Sequence, residues 1–282
     1  MSGRALFRRV LVALDCSPSS LAALEAAANV AAAVDAELLG LFVEDVELLH
    51  SAEHPMARQV TSFSGALQPL DADQMRLQLR TLAARARAAL ADAGRRSGVR
   101  CSFQVRQGTV AAVLLEEISE ADVVSLGRVG WSAVGKDRLG TTARRLLASA
   151  PASALLARRG RVLGSSIWAL FDGSPQARRA LAAAAGLCGD RSLDVVVIGP
   201  DEAARERLAS GVKADLEPKA RPPRLHDSST ADPSEALAAL RGETIGLLVL
   251  PANVAEQAGN DLPALLADVD CPVLIVRDTA PP

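Results

Sequence analysis

The sequence predicts an α/β protein of two tandem doubly wound domains, each a mostly parallel five-stranded sheet with helices on both faces. Three observations predict it. Short β-rich runs alternate with amphipathic helical patterns along the chain. An Asp-x-Ser-Pro turn stands between strand and helix twice, at Asp15-Cys16-Ser17-Pro18 and Asp172-Gly173-Ser174-Pro175. The runs around these turns also correspond: Ala26-Ala27-Ala28 matches Ala183-Ala184-Ala185, and residues 153–158 match 272–277. The joint falls in the basic, glycine-bearing stretch at 159–164, which gives domains 1–159 and 165–282.

In the first domain, the run Val10-Leu11-Val12-Ala13-Leu14 is a strand that Asp15 ends. Ser17 and Pro18 are a capping residue and a helix-start proline, so a helix follows over 19–34. A strand at 38–43 leads into a long polar excursion over 44–72, read as a lid or partner surface. A helix is predicted over 73–93, a strand over 101–107, a helix over 110–119 and a strand over 123–126. Then comes Gly127-x2-Gly130-x9-Gly140-Thr141-Thr142, a helix over 141–149 and a strand over 154–157. The second domain is more compact, with strands at 167–171, 194–198, 224–227, 247–250 and 273–276. Its helices are predicted over 176–188, 202–210, 233–241 and 262–267.

The glycine stretch carries the functional signal. Glycines let a backbone approach an anion closely, and a helix starting near Thr141 aims unpaired N–H groups and its positive dipole end at that anion. The same composition also suits an ordinary surface turn. In a doubly wound sheet, ligands sit beyond the carboxyl ends of the strands, which puts Asp15 and 127–142 on one rim. Asp15 has two readings: a carboxylate that accepts hydrogen bonds from ribose hydroxyls, or an Asx-turn residue before the helix.

With a net charge of −2 and 2% aromatic residues, the chain has neither the basic patch nor the stacking platform of a nucleic-acid binder. Cys16, Cys101, Cys188 and Cys271 are far apart, which fits reduced thiols in the cytoplasm rather than a zinc site or disulfide framework. No run is long enough to span a membrane.

These residues resemble the universal stress protein family. The resemblance rests on Val12-Ala13-Leu14-Asp15-Cys16-Ser17, the strand Asp122-Val123-Val124, the glycine loop, and Cys271-Pro272-Val273-Leu274-Ile275-Val276-Arg277. It covers nearly the whole chain, and its loop spacing is that of members that bind ATP. It implies an ATP site, with or without Mg2+, formed by Ala13, Leu14, Asp15, Val43, Leu126, Gly127, Arg128, Gly130, Gly140, Thr141 and Thr142. Asp15 would meet the adenosine end and Val43 the adenine through its backbone. Gly127 and Gly130 would border ribose and phosphates; Gly140, Thr141 and Thr142 would hold phosphate oxygens. The family's dimers pair through the last strand, so 154–157 would lie beside 273–276 as a pseudo-dimer within one chain, with a homodimer as a further option.

The second copy departs from the pattern. Leu250-Pro251-Ala252-Asn253 stands where the first has Leu126-Gly127-Arg128-Val129, and Asp261-Leu262-Pro263 replaces Gly140-Thr141. Prolines remove donors and Asp261 adds charge of the wrong sign, so only the first domain is expected to bind nucleotide. The expected function is an ATP-binding regulatory protein read by a protein partner. The alternatives are a nucleotide-free scaffold with a vestigial loop, or a slow ATPase or phosphotransferase.

Other patterns are weaker. Gly130-Trp131-Ser132-Ala133-Val134-Gly135-Lys136-Asp137 approaches a P-loop but ends in Asp where the Mg2+-binding hydroxyl belongs. His50 and His54 have metal-ligand spacing on a helix, but Pro55 follows directly. His226 stands alone at a strand end and reads as structural.

Overall fold

A computed structural model describes residues 7–53, 58–60, 67–69, 72–118, 122–128, 140–149, 152–161, 163–216, 222–228, 230–258, 262, 266 and 269–277. The α/β class read from the sequence is what these residues form. The first half runs β1 (Arg9–Ala13), α1 (Pro18–Val34), β2 (Glu37–Asp45), α2 (Val46–Glu53), β3 (Arg58–Val60), β4 (Leu67–Pro69), α3 (Ala72–Ser97) and β5 (Cys101–Gly108). It continues through α4 (Val110–Ile118), β6 (Val123–Gly127), α5 (Thr141–Ser149) and β7 (Ser153–Ala157). The second half runs β8 (Ser166–Phe171), α6 (Pro175–Cys188), β9 (Ser192–Val197), α7 (Glu202–Leu216) and β10 (Arg224–Asp227). It closes with α8 (Pro233–Ala239), β11 (Leu247–Pro251), α9 (Ala252–Ala258) and β12 (Val273–Val276).

Ten strands form one sheet in the order β10-β9-β8-β11-β12-β7-β6-β1-β2-β5, and β3 and β4 form a separate antiparallel pair. Each half therefore repeats one strand order, with its first strand at the centre between a chain-order neighbour and a crossover partner. All pairings within a half are parallel. At the join, β7 and β12 pair antiparallel, with Leu155 opposite Leu274. That reversal puts the carboxyl ends of β1, β2, β5 and β6 on the same edge of the sheet as the amino ends of β8, β9, β11 and β12. The two Asp-x-Ser-Pro turns consequently lie on opposite edges.

Both faces are covered. The side chains of α1, α3 and α6 pack on one face with Val10, Val12, Leu38, Val195 and Val249; those of α4, α5, α8 and α9 pack on the other with Leu11, Leu39, Val124 and Leu248. α1 and α6 turn rows of alanines inward, among them Ala23, Ala27, Ala180 and Ala184, all fully buried. Short side chains let these helices lie close to the strands and to each other. In that contact the buried Ser125 hydroxyl donates to the Ala23 carbonyl at 2.9 Å. Asp122, read from sequence as structural, accepts the Arg8 and Arg9 N–H groups and fixes the start of β1 beside β6.

Polar bonds also cross the join. Arg158 donates to the Val269 carbonyl at 3.0 Å and pairs with Asp270 at 2.8 Å. Arg277 reciprocates on the first half, donating its backbone N–H to the Ser153 hydroxyl and its guanidinium to the Leu147 carbonyl. The hydrogen bond from Arg161 holds the Asp270 carboxyl below its ordinary range, aided by the charge of Arg158. Asp270 is half exposed, so solvent leaves such pairs worth no more than about 1 kcal/mol each.

Three features differ from the sequence expectation. The excursion over 44–72 holds α2 and the β3–β4 pair, because Asp45 caps α2 by accepting the Glu47 N–H at 2.9 Å. α3 and α7 run longer than predicted. α9 begins directly after β11, where no helix is predicted. Of the helix expected over 262–267, Leu262 and Leu266 are described, and both are helical and buried. No helix among the described residues is long and apolar enough to cross a membrane.

Candidate functional site

The carboxyl ends of β1 and β6 are neighbours, and chain order reverses between them, so a crevice opens there. Ala13 ends β1 opposite Leu41. Leu14 donates its N–H to the Leu41 carbonyl at 2.8 Å and buries its side chain. β1 stops at this point while β2 continues to Asp45. Backbone groups of residues two apart face the same strand edge, so the N–H and C=O of Val43 face the edge that β1 has left. One donor and one acceptor side by side suit the edge of a planar heterocycle.

Asp15 is exposed on the turn that follows β1. Its Oδ1 accepts the Ser17 N–H at 2.9 Å, and Ser17 then caps α1 by accepting the Ser20 N–H at 3.0 Å. The Asx-turn reading is therefore what the local geometry displays. One carboxylate oxygen is engaged, and no other group among the described residues bonds the second.

β6 ends at Leu126 and Gly127, opposite Leu156 and Ala157. A Cβ on Gly127 would lie 2.3 Å from the Ser19 Oγ and 2.8 Å from the Ser19 carbonyl carbon, so the first turn of α1 fills the space that any side chain would need. Arg128 follows. Its N–H donates to Ala157 and its carbonyl accepts the Gly140 N–H at 2.9 Å, which closes the base of the 129–139 loop. Its side chain turns away from the rim. The guanidinium is buried and donates to the carbonyls of Leu266, Val269 and Cys271 at 2.7, 2.9 and 2.8 Å. Three converging carbonyl oxygens carry the partial negative charge that a desolvated cation needs.

Gly130 lies outside the described residues, as do Trp131, Lys136 and Arg138 of the near-P-loop, and His54, Asp261 and Pro263. Gly140 opens α5, accepting the Arg144 N–H at 3.0 Å. The N–H groups of Thr141, Thr142 and Ala143 therefore have no acceptor within the helix. Helices α2, α3, α7 and α8 each place an acid in their first turn: Glu47, Asp73, Glu202 and Glu235. α1, α4, α5, α6 and α9 have none; α5 carries exposed Arg144 and Arg145 at its fourth and fifth positions, as α6 carries Arg178 and Arg179. Such charges disfavour the helix by its dipole and favour an anion at its end.

Beside this crevice a cleft of about 580 Å³ lies between the end of β2, the start of α4 and α5, lined by Asp45, Glu47, Thr109, Val110, Ala111, Thr142, Arg144 and Arg145; Thr142 is the member of the predicted ligand set that it takes in. Its volume is that of a small-molecule site. The acids stand at the β2 end and the cations at the α5 end, so an elongated ligand with one anionic end is the shape it suits. Sequence reading missed Thr109, Val110, Arg144 and Arg145. The signal for the arginines was present: cations in a helix's first turn, directly after a glycine loop.

At the equivalent turn of the second half the aspartate has an internal partner for each carboxylate oxygen. Asp172 accepts the Ser174 N–H at 2.9 Å, as Asp15 does with Ser17. Its other oxygen accepts from Asn253 Nδ2 at 2.8 Å, because β11 passes straight into α9 and carries Asn253 over the turn.

Burial, then the charge of Asp15, raises the Cys16 thiol, and burial pushes Cys271 up to about 11. Among the described residues no group of His, Cys, Asp or Glu is arranged to hold a metal ion. His226 is not alone: it stacks on Trp168 at 4.6 Å and bonds the buried Asp194 at 2.9 Å. This cluster belongs to the second half and lies away from the crevice of β1 and β6.

Residues 6–158 match the model of the universal stress protein family. A universal stress protein from Archaeoglobus fulgidus DSM 4304 has a similar fold, with TM-score 0.71 and 16% identity over 98% of this chain and 99% of that one. A protein of unknown function from Pseudomonas aeruginosa PAO1 aligns with TM-score 0.61 at 15% identity, covering 96% of this chain and 92% of its own. A putative universal stress protein from Pseudomonas aeruginosa UCBPP-PA14 gives 0.59 at 17% identity over 97% and 95%. No curated protein matches the chain.

Proposed function

Because the chain belongs to the universal stress protein family, we propose that it is a regulatory protein whose first half binds one adenine nucleotide, ATP, with or without Mg2+. Residues 1–159 and 165–282 are taken as two units, the second standing where a dimer partner would stand. The observation that carries the reading is the cleft in which Thr142, Arg144 and Arg145, at the start of α5, stand across from Asp45 and Glu47 at the end of β2.

ATP matches that polarity. Its adenine would meet the Val43 backbone, its ribose the second oxygen of Asp15, and its phosphates Gly140, Thr141 and Thr142. The engagement of Asp172 by Asn253 supports a second half that holds no nucleotide. The role proposed is binding rather than hydrolysis. Occupancy would order the rim and change a surface that a protein partner in the cytoplasm reads. Mass spectrometry of small molecules released by denaturing the purified chain tests this. ATP or AMP in near-molar yield is expected, and a chain that neither carries nor takes up an adenine nucleotide contradicts it.

A further inference from the structure

We propose that Arg128 is a positioning residue through which the second half fixes the junction of Arg128 and Gly140 and with it the start of α5. The functional part of this inference rests on the nucleotide reading above. Arg128 lies at the base of the 129–139 loop, and its backbone makes both closing bonds, to Ala157 and from Gly140. Gly140 in turn opens α5, so the position of Arg128 sets where the free N–H groups of that helix point. The guanidinium stands outside the lining of the cleft. It is buried 138 to 143 residues away in sequence, on three carbonyls just before β12.

Nη1 and Nη2 of this buried guanidinium find their acceptors on the 266–271 segment, so the side chain and that segment keep their places together. The second half has Ala252 at the corresponding position, so the link runs one way: the nucleotide-bearing half inserts an arginine and the other half receives it. The carbonyl cluster it grips is next to Asp270, which already pairs with Arg158 and Arg161. A change at Arg128 and Gly140 therefore reaches the 266–271 carbonyls through this connection, beside the bonds of Arg158 and Arg277, and by linkage the reverse holds.

Hydrogen exchange at 266–277 of the full chain, with and without saturating ATP, tests this for the wild type, Arg128→Gln and Arg128→Lys, alongside ATP affinity by calorimetry. ATP is expected to slow exchange at 266–277 in the wild type, while Arg128→Gln removes that response and weakens ATP about tenfold. Arg128→Lys keeps the charge without the fork, should retain part of both effects, and serves if the Gln variant does not fold. A purely structural arginine would leave exchange at 266–277 indifferent to ATP, and that result overturns the proposal. If the wild type takes up no ATP, the nucleotide reading fails on its own. The positioning role then stands if Arg128→Gln speeds exchange at 140–149 and 266–277 together in the ligand-free chain, and falls if only one segment responds.

Discussion

Replacing Gly127 with valine is expected to destabilise the protein by about 3 kcal/mol, at the upper end of ordinary overpacking, and to abolish nucleotide binding with it. The cause is geometric. A Cβ at this position meets the hydroxyl, Cβ and carbonyl carbon of Ser19 at 2.3, 2.8 and 2.8 Å. A hydroxyl can rotate away, but the carbonyl carbon belongs to the backbone of the first turn of α1. The helix must therefore move off β6, which breaks the Ser125 to Ala23 bond and shifts the turn that carries Asp15. Urea denaturation of the variant measures the loss. An unchanged midpoint would mean that α1 does not lie against β6 as described.

Thr142→Asp should separate stability from binding. An acid in the first turn of α5 opposes the helix dipole and should leave stability unchanged or raise it by about 0.3 to 1 kcal/mol. The same carboxylate would stand beside bound phosphate. Two unit charges ~5 Å apart at an effective dielectric of ~20 repel by about 3 kcal/mol, a loss of more than a hundredfold in affinity. Thermal melting and calorimetric titration with ATP read the two effects. An affinity that stays within about threefold of the wild type, set against that ~3 kcal/mol, would remove the phosphates from this helix end.

What the sequence disclosed follows from the range of the interactions involved. The Asp-x-Ser-Pro turns are local chemistry: an Asx bond, a serine cap and a helix-start proline within four residues, and both form as read. Strand alternation disclosed the α/β class for the same reason. The destination of Arg128 could not be read, because its partners lie beyond the reach of any local pattern and it stands in a motif that invites a ligand role. Gly127 shows the reverse: the motif singled it out for phosphate, and packing against Ser19 demands glycine whatever binds nearby. α9 escaped notice because Pro251 looks like a strand terminator leading into a loop, while Ala252 enters a helix at once. His226 looked isolated since Asp194 and Trp168 reach it only through sheet pairing of β8, β9 and β10.

The central claim is that one half of this two-copy sheet takes a nucleotide and the other, its aspartate held from within, does not. Calorimetric titration of the full chain with ATP, repeated on Asp15→Ala and Asp172→Ala, tests it most directly. Saturation at one equivalent per chain is expected, weakened by Asp15→Ala and untouched by Asp172→Ala. Two equivalents, or a loss of binding with Asp172→Ala and none with Asp15→Ala, would contradict it.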